Sequence, residues 1–226
     1  MPMIQCAYAL QDVPVLRLAP ELAAIASAGI SHWHVDIADG VFVPWFGCGE
    51  NLLRELAAVS PLPCHVHLLA QAPERHVERL AQAGAAGITV HVESAVHAHR
   101  VLNQIRNAGA SPGIALAPTT PLTKLEYLLP EVDRVLVCTR DLDRSTGNMV
   151  VSGPERVKIL NELIHYSEYS TVIEVEGIMN ARNAAQLHHF GARSLVLDAH
   201  SLPFNELNRE SVAAFINALL AESKTI

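Results

Sequence analysis

Short β-type runs alternate with longer helical patterns along the whole chain, and this alternation strongly limits the folds it can adopt. We predict strands near residues 4–9, 31–37, 63–69, 87–92, 112–117, 132–139, 171–176 and 193–198. We predict helices over residues 20–28, 50–59, 73–84, 95–108, 121–129, 153–168, 180–190 and 206–222. Eight strand–helix pairs are typical of a (β/α)8 TIM barrel of the α/β class.

One domain, residues 1–226, is expected to hold the whole barrel, because no linker, low-complexity tract or change of composition divides the chain. A chain of 226 residues with 50% hydrophobic residues can bury one sizeable core. The alternative is a doubly wound open sheet, which usually has a glycine-rich first turn. Residues 9–14 contain no glycine, and the barrel is therefore favoured.

Charge and cysteine usage exclude several classes of partner. The formal net charge is −7 and the chain has no run of Lys or Arg, which argues against nucleic acid or an anionic membrane. The four cysteines are scattered and form no CxxC pair, so neither a disulfide framework nor a cysteine-based zinc site is expected. The first residues lack the basic start and apolar run of a signal sequence. We expect a cytoplasmic protein, and we also expect a homo-oligomer.

Polar side chains that can bind a metal lie near the carboxyl ends of three predicted strands. Alternate residues of a strand point to one face, so His34 and Asp36 share a face, as do Glu174 and Glu176. His67 lies near the end of the next predicted strand. Barrel enzymes carry their chemistry at the carboxyl ends of the strands, which favours convergence of these side chains. Two imidazoles with carboxylates suit Zn, Mn or Fe.

Other polar residues on the same faces are secondary candidates. His91 and Glu93 end the fourth predicted strand, where we predict contacts with a substrate. His32 and His65 lie deeper on their strands, and we interpret them as core residues or as supports for the metal ligands. The longest connection, residues 139–153, has the length of a lid over the site, although a merely solvated loop fits equally.

Several short motifs along the chain are specific enough to indicate a family. They are His34-Val35-Asp36, Asp39-Gly40, Phe42-Val43-Pro44, Val66-His67-Leu68, Ala83-Gly84-Ala85, Ile88-Thr89-Val90-His91-Val92-Glu93, Pro118-Thr119-Thr120-Pro121-Leu122 and Ile173-Glu174-Val175-Glu176-Gly177. With these motifs the sequence resembles the ribulose-phosphate 3-epimerase family over nearly its whole length.

The resemblance implies a (β/α)8 barrel that binds one divalent metal through two histidines and two aspartates. It implies that His34, Asp36 and His67 occupy three of those positions and that Glu176 occupies the fourth. It also implies Asp36 and Glu176 as the pair that transfers protons. Epimerisation next to a ketone removes a proton from one face and returns one to the other, and two carboxyl groups meet that need. We therefore expect a carbohydrate epimerase that acts on a ketose or a ketose phosphate.

The chain departs from the family pattern where the substrate would bind. The Pro-Ser of the family's first strand is Cys6-Ala7, and its Asn-Pro-Gly-Phe-Gly-Gly lid is replaced by residues 140–145. The glycine that follows Gly177 in the family is Ile178, and the Gly-Ser of the eighth strand is Asp198-Ala199. The aspartate of the seventh strand has also become a glutamate.

These departures predict an altered substrate. An ionised Asp198 repels a phosphate group, so we expect ribulose 5-phosphate to be a poor substrate. A non-phosphorylated sugar, or one whose anion meets the loop at 140–148, is favoured instead. The predicted substrate contacts are His91, Gly177, Asp198 and Arg140.

Two other functions stay open at this stage. An aldolase or decarboxylase acting on a sugar acid would keep the same centre without inversion, and the missing hydroxyl at Ala7 is compatible with it. A barrel that binds a ligand or a partner without catalysis is compatible with the many substitutions. Retention of His34, Asp36, His67 and an acid at 176 favours an active epimerase.

Overall fold

The computed structural model describes residues 4–12, 15–143, 149, 152–177, 179–202 and 208–225, and its strands form a closed, all-parallel barrel in chain order. The strands are β1 (Gln5–Ala9), β2 (His32–Ala38), β3 (Cys64–Leu69), β4 (Ala85–His91), β5 (Ser111–Leu116), β6 (Arg134–Cys138), β7 (Val172–Glu176) and β8 (Ser194–Leu197). The α-helices are α1 (Val15–Ala26), α2 (Glu50–Val59), α3 (Val77–Gln82), α4 (Ala98–Asn107), α5 (Gly153–Tyr166), α6 (Ala181–His189) and α7 (Arg209–Glu222). The predicted (β/α)8 barrel is confirmed.

The helix predicted over residues 121–129 was wrong. That segment forms two short 3-10 turns, Leu122–Leu125 and Leu129–Glu131. Pro121 and Pro130 bracket it, and a proline disfavours the α conformation of the residue before it and removes a backbone donor. Leu125 and Leu129 are nevertheless buried, so the turns cover the barrel where a helix was expected.

The outer face of the strands and the inner faces of the helices form the main hydrophobic core. Strand alternation explains why Trp33 and Val35 of β2 are fully buried against that layer. Leu53 and Leu56 of α2 are buried on the helix side, and each side chain of this kind contributes about 1.5–3 kcal/mol of hydrophobic free energy. Among the described residues no helix is long and apolar enough to cross a membrane.

The interior of the barrel contains a small apolar cluster and two polar clusters. The apolar cluster consists of Ala7, Ala9, Ala115, Leu136, Cys138 and Val196. We call His32, His65, Arg134, Glu174 and Ser194, towards the amino ends of the strands, the lower cluster. We call His34, Asp36, His67 and Glu176, towards the carboxyl ends, the upper cluster.

Candidate active site

The carboxyl ends of β2, β3 and β7 place the four predicted metal ligands together. The β2–β3 register pairs Asp36 with His67, and Glu176 is the last residue of β7. One donor atom of each residue in the upper cluster lies within 4.8 Å of the others. His34 and His67 are each 1% exposed and Asp36 is 5% exposed, so bulk water has little access to their side chains.

Each imidazole of the upper cluster turns one nitrogen towards both carboxylates. Asp36 Oδ1 lies 3.1 Å from His34 Nε2 and 3.0 Å from His67 Nδ1. Glu176 Oε2 lies 3.2 Å from His67 Nδ1 and 3.6 Å from His34 Nε2. The four side chains therefore face one another across a single small volume.

Charge within the upper cluster shifts its pKa values strongly. Burial favours neutral imidazole, but the carboxylates of Asp36 and Glu176 outweigh it and raise the pKa of His67 to about 10. Burial likewise opposes ionisation of Asp36, yet the two imidazoles hold the pKa of its carboxyl well below its usual range. Paired charges of this kind, in a buried site at strand ends, are a feature of catalytic and metal-binding centres.

The donor set of the upper cluster fits a divalent transition metal. Two imidazole nitrogens and two carboxylates are ligands that Zn, Mn and Fe accept. Glu176 Oε2 is buried, and no described group donates a hydrogen bond to it in suitable geometry, although it faces both imidazoles. A buried acceptor of this kind costs free energy unless a cation or a donor compensates for it. A bound cation would take the place of the proton on His67.

His91 lies behind His67 and has no exposed surface. Its Nε2 is 2.8 Å from His67 Nε2, and its Nδ1 is 2.9 Å from Glu93 Oε2. Protein side chains thus engage both ring nitrogens, an arrangement that favours support of His67 over the direct substrate contact predicted for His91. Burial lowers the pKa of His91, which favours a neutral ring.

Sequence reasoning did not assign a role to the turn after β5, although this turn holds Glu93 in place. Glu93 Oε1 accepts hydrogen bonds from the backbone N–H of Ala117, at 2.8 Å, and from the hydroxyl of Thr120. Burial would raise the pKa of Glu93, but the hydrogen bonds from His91, Thr120 and Ala117 lower it to about 2. The Pro118-Thr119-Thr120-Pro121 motif marks this turn in the sequence. The motif alone does not indicate that one of its side chains contacts Glu93.

Asp198 and Arg140, both predicted substrate contacts, form an ion pair at the mouth of the barrel, with 3.7 Å between Arg140 Nη1 and Asp198 Oδ2. Asp198 is 5% exposed, and its Oδ1 accepts from the backbone N–H of Ser201 at 2.8 Å and from its hydroxyl at 2.7 Å. The carboxylate is therefore anchored at the corner between β8 and the turn that follows it.

Gly177, the remaining predicted substrate contact, continues directly from Glu176 with a φ of +150°. A Cβ atom there would lie 2.1 Å from Thr139 Oγ1. Thr139 Oγ1 in turn donates to the carbonyl of Glu176 at 2.8 Å. Only glycine allows this close approach, which ties β6 to the end of β7. Ile178 lies outside the described residues.

The start of the predicted lid closes over the upper cluster. Trp45, in the loop after β2, donates from Nε1 to the carbonyl of Leu142 at 2.8 Å. Leu142 packs against the apolar cluster inside the barrel. Trp45, Leu142 and Arg140 line a narrow cavity above Asp36 and Glu176. Residues 144–148, 150 and 151 of the predicted lid lie outside the described residues.

Comparison with known proteins agrees with this geometry. The model of the ribulose-phosphate 3 epimerase family matches residues 6–200. A chloroplastic ribulose-5-phosphate-3-epimerase of Arabidopsis thaliana is 35% identical over 182 residues, which cover 80% of this chain and 65% of that protein. A ribulose-phosphate 3-epimerase of Synechocystis is 34% identical over 205 residues, 89% of this chain and 88% of that protein.

A solved structure supports the fold independently. The structure of 3-hexulose-6-phosphate synthase from Salmonella typhimurium superposes with a TM-score of 0.68 at 14% identity, covering 97% of this chain and 100% of that one. At that identity the likeness concerns the barrel alone. The family match spans most of the chain and includes all four residues of the upper cluster, and the chain thus belongs to the ribulose-phosphate 3 epimerase family of carbohydrate isomerases.

Proposed function

We propose that this protein is a metal-dependent carbohydrate epimerase in which Asp36 and Glu176 transfer protons. The observation that supports this most is the convergence of two carboxylates and two imidazoles, within 4.8 Å of one another, at the carboxyl end of the barrel. The similarity to relatives that carry the name ribulose-phosphate 3-epimerase supports the same class of reaction.

The chemistry follows from the positions of the two carboxyl groups. Asp36 on β2 and Glu176 on β7 come from different strands, and in the proposed reaction each carboxyl group acts on one face of the substrate. The ionised group removes the proton next to the ketone, and the protonated group returns one to the opposite face. A divalent cation held by His34, Asp36, His67 and Glu176 would supply positive charge where negative charge develops. The burial of His34, Asp36 and His67 limits access of competing water to the exchanged proton.

The proposed substrate lacks a phosphate at the corner formed by residue 177 and Asp198, or binds its anion elsewhere. Asp198 is anchored there by Ser201. A unit negative charge about 4 Å away would be repelled by roughly 4 kcal/mol at an effective dielectric near 20. Arg140 faces Asp198 and lines the cavity, so a substrate anion would bind to its guanidinium group.

Hydrogen exchange in deuterated water tests the reaction. Protein loaded with Zn, Mn or Fe is incubated with free and phosphorylated ketoses, and NMR follows loss of the hydrogen bonded to carbon next to the ketone. We expect exchange and inversion with at least one ketose and about one metal ion per chain. Absence of exchange in a preparation that converts its substrate would contradict proton transfer. Release of aldehyde or carbon dioxide from sugar acids would point to a lyase instead.

Asp198→Asn tests the substrate proposal. The asparagine oxygen can still accept from Ser201, so the corner keeps its shape while its charge is removed. We expect KM for ribulose 5-phosphate to fall at least tenfold, with little change for an uncharged ketose. Ser201→Ala, which leaves the charge in place, is the control. Efficient turnover of ribulose 5-phosphate by the unaltered protein would refute the proposal. The cytoplasmic location, the homo-oligomer and the single domain stay predictions.

A further inference from the structure

A row of hydrogen-bonded groups runs from the upper cluster to the turn after β5. His67 turns Nδ1 towards Asp36 and Nε2 towards His91, at 3.0 Å and 2.8 Å respectively. His91 Nδ1 meets Glu93 at 2.9 Å. His91 is fully buried, so the row does not reach solvent at this residue.

The direction of each hydrogen bond in this row follows from Glu93. Its Oε1 accepts from the Ala117 N–H and the Thr120 hydroxyl, which favours the ionised carboxylate, and an ionised carboxylate can only accept at Oε2. The proton between Glu93 and His91 therefore sits on His91 Nδ1. A neutral ring then offers a lone pair at Nε2, and the bond to His67 requires the hydrogen to be on His67 Nε2.

This order leaves the lone pair of His67 at Nδ1, the atom that faces Asp36 and Glu176. We propose that Glu93 and His91 are positioning residues that fix the metal-binding tautomer of His67. The proposal rests on the metal centre proposed above, but not on which sugar is the substrate. It extends the functional unit from four residues to a row that ends in the turn after β5.

A second metal ion offers a different explanation for the same residues, because His67, His91 and Cys138 also bring donor atoms within 4.8 Å. The distance of 2.8 Å between the two Nε2 atoms is that of a hydrogen bond, as the row requires. The number of zinc ions bound per chain separates the two explanations.

Glu93→Gln reverses the row with almost no change of shape. The Ala117 N–H needs an acceptor, so the amide oxygen takes the place of Oε1 and the amide NH2 faces His91 Nδ1. His91 must then accept at Nδ1 and carry its hydrogen on Nε2. That hydrogen points at His67 Nε2, which forces the hydrogen of His67 onto Nδ1 and blocks the metal.

Zinc affinity, measured by competition with a chromophoric chelator, should fall 10- to 100-fold in E93Q. Nitrogen-15 NMR of histidine-labelled, zinc-loaded protein should place the His91 hydrogen on Nδ1 in the unaltered chain and on Nε2 in E93Q. Thr120→Val, which removes one donor but keeps the charge, and Glu55→Gln, at an exposed position, should each change the affinity less than threefold.

Several outcomes would overturn the proposal. They are unchanged zinc affinity in E93Q, reduced affinity with the His91 hydrogen still on Nδ1 (a simple charge effect), and two zinc ions per chain. Thermal unfolding of metal-free E93Q checks that it folds, and His91→Leu, which removes the acceptor altogether, should lose affinity to a similar extent. Failure of the unaltered chain to bind zinc would refute the metal centre itself, whereas failure to epimerise any sugar would leave the affinity comparison intact.

Discussion

The two polar clusters inside the barrel contain similar residues but balance their charges differently. In the lower cluster, Glu174 Oε1 meets Arg134 at 2.5 Å, His32 at 2.9 Å and Ser194 at 2.7 Å. The guanidinium is a permanent cation, so the protein itself neutralises the carboxylate. In the upper cluster two carboxylates face imidazoles, whose charge depends on a proton that a metal can replace.

This difference separates a structural cluster from a functional one. Arg134 and Ser194 fix Glu174 with strong hydrogen bonds, and no exchange of ligands is needed for the lower cluster to be stable. The upper cluster lies at the end of the barrel that opens to the mouth, beside Trp45 and Arg140. Changes in the upper cluster should therefore affect chemistry and metal binding, and changes in the lower cluster should affect stability.

Asp36→Asn should give the largest effect. It removes a proposed proton-transfer group and a proposed metal ligand together, so we expect kcat/KM to fall by about 10³-fold or more. The free energy of unfolding of the metal-free protein should decrease less than in Glu174→Gln, because the imidazoles that lose this partner can release a proton whereas Arg134 cannot. Steady-state kinetics and urea unfolding on the same preparation test both statements. Near-normal activity would show that the upper cluster is not the catalytic centre.

Glu174→Gln should show the opposite pattern. Removing one partner of a buried ion pair leaves Arg134 uncompensated, which typically costs about 3–5 kcal/mol of folding free energy. Urea unfolding of the metal-free protein measures this loss, with Glu55→Gln as the control. Folded E174Q should still bind about one metal ion per chain. Loss of the metal without loss of stability would contradict the division between the two clusters.

Gly177→Ala should give a smaller effect that is specific to the upper cluster. The positive φ and the close approach of Thr139 leave no room for a Cβ atom, and strain of this kind costs about 1–3 kcal/mol. We expect weaker metal binding because Glu176 precedes the strained residue. Gly49→Ala is the matched control, since no described residue has an atom within 4 Å of its Cβ position. Equal effects of the two substitutions on unfolding and metal affinity would refute this account.

Much of this arrangement could be predicted from the sequence because strand periodicity determines which residues share a face. The period of two correctly placed His34, Asp36 and Glu176 inside the barrel. Periodicity does not give distances across the barrel, however. His32 and Glu174 meet although 142 residues separate them in the chain. His91 was predicted to reach the substrate because the strand ends there, and its packing behind His67 follows from three-dimensional contacts.

Glu93 tests how the upper cluster is supported, and its expected effect on the unfolding free energy is the smallest of those predicted. Its folded pKa of about 2 lies below the ordinary value of 4.5, so its ionised form stabilises the fold above about pH 4.5. That contribution is lost as the pH falls through about 2.

The unfolding free energy of the unaltered protein relative to E93Q should therefore decrease from pH 5 to pH 2. We expect a decrease of about 1–2 kcal/mol, because the side chain is partly exposed and solvent screens its charge. Urea unfolding of both proteins in the presence of a chelator measures it, because the chelator removes any contribution from a bound metal. A difference that stays constant over this range would show that Glu93 gains no stability from His91 and the turn after β5.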